Sequence, residues 1–219
     1  MRTSVVVALL GVAVLGGGSA SADPISPGSI VQLRLTTTSG SNIARFSNGG
    51  PFRMDLAGTA FDFLTFCLEA DEFFTPGENL RVGSISHQAL AGGVNTDSGD
   101  PISGTTAFLY TMFRANRAGY TNGVLMQEAI WFLEGERTTR SAEAAALITQ
   151  AHTRMAELAW GLDFTGTVHV ANLFRGPDYS IHAQDMLTIA RVPEPATLLL
   201  MGLGLLIGTH GRRRRRTPR

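Results

Sequence analysis

The chain contains a single cysteine, Cys67, set in Phe66-Cys67-Leu68-Glu69 near the end of a strongly apolar run. A lone thiol cannot form an internal disulfide, so its chemistry must be read from its surroundings. Two readings stand at this level: Cys67 is a small buried hydrophobe kept inert by the core, or it is a nucleophile. A Cys–His hydrolase dyad is conceivable with His87, His169 or His182, but no flanking signature accompanies any of them. The five histidines (His87, His152, His169, His182, His210) fall at no metal-ligand spacing, so neither a metal nor a cofactor is expected. Walker, Gly-x-Gly-x-x-Gly and Gly-x-Ser-x-Gly sequences are absent. Asn95, Asp97 and Asp100 resemble part of a calcium loop but lack the Glu at the twelfth position, so a polar loop is expected there.

The elements that must position this thiol follow from periodicity. Val31–Leu35 alternates apolar and polar side chains and reads as a half-buried strand. Phe52–Leu56 and Phe61–Leu68 are two more strands, the second continuous enough in apolar character to be expected at the centre of a sheet. Asn79–Ile85 is a fourth, and Gly92–Pro101 reads as a loop. The period then becomes helical. Ser103 caps a helix reaching Ala118, Asn122 caps Gly123–Glu134 with Gly135 as the stop, and Ser141 caps Ala142–Leu158 with Glu143 at the positive end of its dipole. Thr167–Leu173 and Met186–Ala190 read as closing strands. This order is α+β: an antiparallel β-sandwich or barrel with a helical insertion, plus an N-terminal signal helix and a C-terminal hydrophobic helix.

The second helix carries Met126-Gln127-Glu128-Ala129-Ile130-Trp131. An aromatic-Cys strand segment followed by a helix bearing Gln-x-Ala-Ile-Trp resembles the thioester domains of bacterial surface adhesins. In that family a Cys thiol attacks a Gln side-chain carbonyl and expels ammonia, leaving an internal thioester. The resemblance implies that Cys67 supplies the sulfur and Gln127 the acyl carbon. One departure is visible: Met126 stands where the family usually has Thr or Ser. A thioester lacks amide resonance and must be kept from water, and Phe66, Ile130 and Trp131 are the available apolar shields. Ile130 and Trp131 follow Gln127 at i+3 and i+4 and should flank it. Glu69 or Glu128 is expected to take the thiol proton, as a carboxylate in an apolar site has a raised pKa. Ordinary core packing for Trp131 and a solvated helix face for Glu128 are equally open readings. A separation beyond about 7 Å between the Cys67 sulfur and the Gln127 amide would count strongly against the bond, by analogy with disulfide reach.

The two ends read as addresses. Arg2, the apolar Val5–Leu15 run, Gly16–Gly18 and the small Ala20-Ser21-Ala22 have the layout of a signal peptide over residues 1–22, with cleavage expected after Ala22. At the other end Pro193-Glu194-Pro195 precedes the largely apolar 196–208 stretch and then Arg212, Arg213, Arg214, Arg215 and Arg216. Thirteen residues make about 20 Å of helix against a hydrocarbon core of ~30 Å, a span that needs local thinning and snorkelling of the Arg side chains. The Arg run would stay cytoplasmic and stop transfer. This three-part tail, residues 192–219, resembles the PEP-CTERM sorting signal of Gram-negative bacteria. The resemblance implies processing by an exosortase-type enzyme and delivery to the cell envelope, cell surface or extracellular matrix, often in biofilm-forming species, with the C-terminal helix in the membrane.

Charge supports a surface role for the body, residues 23–191. All 18 basic residues are Arg, and the body holds 11 of them against 17 Asp and Glu, a net of −6 that repels phosphate, so no nucleic-acid partner is expected. With no Lys, the chain can neither form Lys–Asn isopeptide crosslinks nor quench a thioester with its own side-chain amine, which leaves an amine-bearing surface or matrix partner as the target. Adhesion by single-use attachment is not turnover, so no enzyme is expected. The competing reading is a passive extracellular matrix or biofilm structural protein in which Cys67 and Gln127 merely pack.

Overall fold

The computed structural model describes residues 22–36, 49–90 and 99–190. The signal segment before Ala22, the sorting tail with Pro193, Glu194, Pro195 and Arg212–Arg216, and Asn95 and Asp97 lie outside the described residues. Six strands form one antiparallel sheet in the order β3-β2-β1-β4, followed by the last two strands of the chain. Here β1 is Ile30–Leu35, β2 Phe52–Leu56, β3 Asp62–Thr65 and β4 Asn79–Ser86. Two-residue strands β5 (Gln88–Ala89) and β6 (Asp100–Pro101) pair separately, β6 at the end of the stretch that reads as loop. The closing strands are β7 (Val168–Arg175) and β8 (Ile181–Ile189).

The sheet closes on itself. Beyond β3 the chain crosses to β8, where Leu187 N–H donates to Phe66 O and Leu68 N–H to Asp185 O, both at 3.0 Å. Of the two architectures expected, the barrel is the one formed. The Phe61–Leu68 run is therefore not one central strand: its first half pairs with β2 and its second half is the seam. β8 also begins at Ile181 rather than Met186. The polar His182, Gln184 and Asp185 hide that start in the sequence, because each finds an interior hydrogen-bond partner and can be buried.

Three helices are inserted between β6 and β7: α1 Gly104–Arg114, α2 Gly123–Leu133 and α3 Ala142–Glu157. Their caps form where expected, with Ser103 accepting from Thr106 N–H, Asn122 from Val124 and Leu125 N–H, and Ser141 from Ala144 N–H. α1 ends before the expected Ala118 because Asn116 adopts φ 50°, and Arg117 N–H turns back to Met112 O.

Two cores result. One fills the barrel with Val31, Leu33, Met54, Leu80, Leu173 and Met186. The other lies between the helices and the outer face of β7 and β8, and contains Phe108, Ile130, Val168, Val170, Leu187 and Ile189. β7 and β8 serve both through period-2 alternation, which sends Val168 and Val170 outward and Ala171 and Leu173 inward. The seam obeys the same rule. Phe66 and Leu68 join the helix-side core, and Cys67 between them turns toward the barrel-side core.

Candidate functional site

Cys67 and Gln127 meet. Gln127 lies in the middle of α2, fully buried, and its side-chain amide runs alongside the Cys67 backbone. Nε2 donates to Cys67 O at 2.8 Å, while Oε1 accepts from Cys67 N–H at 3.2 Å. The amide thus acts as a one-residue strand partner where the β3 ladder has ended. The thiol itself donates to the same Oε1, with Sγ 3.3 Å away.

A third donor completes the arrangement. Gly50 N–H reaches Gln127 Oε1 at 3.0 Å, so two backbone N–H groups converge on this oxygen. Attack on the Gln127 carbonyl carbon would place negative charge on that oxygen, and preorganised backbone donors are the means by which proteins stabilise such charge. The Gly49–Pro51 segment that supplies Gly50 is pinned from both sides. Thr36 Oγ1 donates to Pro51 O at 2.9 Å, and a Cβ on Gly123 would fall 2.2 Å from Pro51 Cδ, so only glycine lets the first turn of α2 sit this close. Gly49 has φ +70°, and a Cβ there would fall 2.2 Å from Gln127 Cγ and 2.7 Å from Trp131 Cη2. These glycines are functional neighbours missed from the sequence; the Gly-Gly-Pro run ahead of Phe52 was the available signal.

The sequence-predicted shields separate into two groups. Trp131 packs in the same core as Cys67, and the Arg137 guanidinium lies 4.5 Å from its ring centroid. Its neighbour Ile130 faces the helix-side core, because α2 is buried along two stripes: Gln127 and Trp131 form one, Met126, Ala129 and Ile130 the other. Phe66 also faces that core, stacked edge-on against Tyr110 and Phe113. Of the three shields, then, only Trp131 shares a core with the sulfur.

The two candidate bases also differ. Glu128 is directed at the start of α3, accepting from Ser141 N–H and from Ser141 Oγ at 2.8 Å, where its charge caps the helix N-terminus. Glu69 is almost wholly buried and lines the same cavity as Cys67. Burial, then the charges of Asp185 and Glu72, push its pKa up to about 11, so at neutral pH it holds its proton. Burial, with Glu69 next, also raises the Cys67 thiol well above its ordinary range, so the sulfur is a neutral thiol.

None of the three candidate dyad histidines is hydrogen-bonded to Cys67. His87 and His169 stack with centroids 4.1 Å apart and bind Thr165 Oγ1 and Thr167 O. His182 lies between Glu72 Oε1 at 2.9 Å and Asp185 Oδ1 at 2.8 Å. Burial alone would lower its pKa, but these two hydrogen bonds outweigh that effect and raise it to about 10. Among the described residues, no cluster of His, Cys, Asp and Glu could hold a metal ion, and no helix is long and apolar enough to cross a membrane.

Residues 191–216 match the PEP-CTERM protein-sorting motif. The motif marks an exported protein, sorted to the cell surface by exosortase-type machinery. The chain's fold is similar to the N-terminal thioester domain of fibronectin-binding protein SfbI from Streptococcus pyogenes, with a TM-score of 0.40 and 15% sequence identity, covering 79% of this chain and 97% of that one. No curated protein matches the chain.

Proposed function

We propose that this exported protein forms an internal thioester between Cys67 Sγ and Gln127 Cδ, and that the bond captures an amine on a surface or matrix partner once and covalently. The observation that carries this reading is the clamp on the Gln127 amide: its oxygen accepts the thiol at 3.3 Å and two backbone N–H groups at 3.0 and 3.2 Å. A buried glutamine that only filled space would not need a lone thiol on the same oxygen as two converging backbone donors. In the condensation Sγ bonds to Cδ, the Cδ–Nε2 bond breaks, and the sulfur's proton leaves with the nitrogen as ammonia. Attack by an amine then forms an amide on Cδ and returns the thiol. Trp131, covered by Arg137, stands between the sulfur's cavity and a surface cleft of about 280 Å³, and supports the reading as a barrier to water. In the same reading the apolar 196–208 stretch holds the protein at the membrane until exosortase-type processing.

Intact-mass measurement of the full-length chain tests the bond. The expected mass is one ammonia below that of the sequence, with no thiol open to alkylation after denaturation. Methylamine should add to the wild type, and Cys67→Ala and Gln127→Ala should each abolish both the deficit and the adduct. A full mass with an alkylatable thiol would overturn the proposal in favour of a passive matrix protein, whose Gln127 only pairs with the Cys67 backbone.

A further inference from the structure

Four buried side-chain polar atoms lack a hydrogen-bond partner among the described residues, and three of them, Glu69 Oε1, Glu72 Oε2 and Trp131 Nε1, belong to residues lining one cavity beside Cys67. Buried polar atoms are normally satisfied, so orphans gathered around one small space point to a missing polar guest. The cavity measures about 20 Å³, room for one water-sized molecule. Ammonia and the head of a primary amine have that size, and the cavity is lined by Cys67, whose thiol touches the Gln127 amide oxygen.

Glu69 is built to exchange a proton there. Its Oε2 accepts from Asp185 N–H at 3.3 Å and from Gln184 Nε2 at 3.4 Å, so Oε2 is the acceptor oxygen of the neutral acid. The hydroxyl hydrogen is thereby assigned to Oε1, the orphan atom. Burial first, and then its acidic neighbours, hold the acid in its neutral form. Asp185 and Glu72 face it from β8 and from its own segment with His182 shared between them, and Glu136 lies against the same segment through Ala70 N–H at 2.9 Å. Glu72 Oε2 and Trp131 Nε1 offer an acceptor and a donor to the same guest.

We propose that this cavity is the amine site of the thioester, and that Glu69 is its proton shuttle. As Sγ–Cδ forms and Cδ–Nε2 breaks, Glu69 gives its Oε1 proton to the departing nitrogen and receives the thiol proton, so ammonia leaves and Glu69 ends neutral. In capture the roles reverse: Glu69 gives its Oε1 proton to Sγ as Cδ–Sγ breaks and takes a proton from the incoming primary amine as N–Cδ forms, so Glu69 again ends neutral. The inference rests on the thioester reading.

The test follows ammonia loss during refolding, and methylamine capture afterwards, in the full-length wild type and in Glu69→Gln, with a thermal melt of each. Glu69→Gln should fold yet lose ammonia at least about a hundredfold more slowly, the usual scale of general acid–base catalysis. Equal rates in wild type and variant would overturn the shuttle while leaving the thioester standing. A wild type that never loses ammonia would overturn both. Should Glu69→Gln fail to melt cooperatively, Glu69→Asp replaces it: its carboxyl is set back by one methylene, its rate should fall at least about tenfold, and an unchanged rate overturns the proposal.

Discussion

Two buried polar clusters of this protein are built on opposite principles. Asp23 is paired by Arg114 through two contacts, at 2.8 and 3.0 Å, and also accepts from Thr188 Oγ1 and Ile189 N–H, so both of its oxygens are engaged. That cluster ties the start of the described body to α1 and to the end of β8. Around Glu69, itself as buried as Asp23, Glu69 Oε1, Glu72 Oε2 and Trp131 Nε1 have no partner among the described residues. A cluster serving only architecture can satisfy every atom, whereas one awaiting a guest must leave some of them open. The contrast separates a fully paired carboxyl from an incompletely paired one where residue type does not.

Removing Arg114 should have the largest effect on stability. Arg114→Met strands the Asp23 carboxylate in the core and should cost about 3–5 kcal/mol in denaturant melts, while chain that still folds should show the same one-ammonia mass deficit as the wild type. Gly49→Ala should reverse that division. Its Cβ meets Gln127 Cγ, an overpacking worth about 1–3 kcal/mol, and the ammonia deficit should be lost or strongly reduced. A normal deficit in Gly49→Ala would show that the clamp on Gln127 is not needed for the bond.

The same contrast can be sharpened by pH. Glu69 and His182 both hold their protons in the fold at pH values where the unfolded chain releases them. Their contributions to stability are therefore fully present below the unfolded values, near 4.5 for Glu69 and 6.5 for His182, and are lost as pH rises toward about 11 and about 10. Melting temperature should fall between pH 6 and pH 9.5, and Glu69→Gln should shallow that fall by a few degrees. An identical pH slope in the variant would mean that Glu69 is ionised in the fold. The smallest effect is expected at Glu128→Ala, which removes the acceptor at the start of α3, costs about 1 kcal/mol and leaves ammonia loss unchanged.

Much of the scaffold was legible beforehand. The caps Ser103, Asn122 and Ser141 and the three helices follow from local signals, because capping and the 3.6-residue period are properties of neighbouring residues. The two-residue strands β5 and β6 were not legible, since pairs that short have no period. The start of β8 was hidden by polar letters whose burial depends on partners distant in sequence. Ile130 and Trp131 look like equal flanks of Gln127 on a helical wheel, yet only Trp131 shares the sulfur's core, because the barrel end and the helix-side core claim adjacent stripes of α2. Glu69 was recognisable as a candidate, but not its protonation, which burial imposes first and Asp185, 116 residues on in the chain, reinforces.

What the sequence determined by itself was a lone thiol, a glutamine in a second helix, a Lys-free acidic body and a sorting tail, all carried by residue identity and local order. The tertiary structure alone decided that the thiol donates to the Gln127 amide oxygen, that Gly50 adds its N–H to it, and that a small cavity lined by Glu69 lies alongside. Those facts arise where the barrel closes on itself and a helix docks against the seam. They depend on contacts spanning 60 to 116 residues of chain, beyond the reach of any local signal.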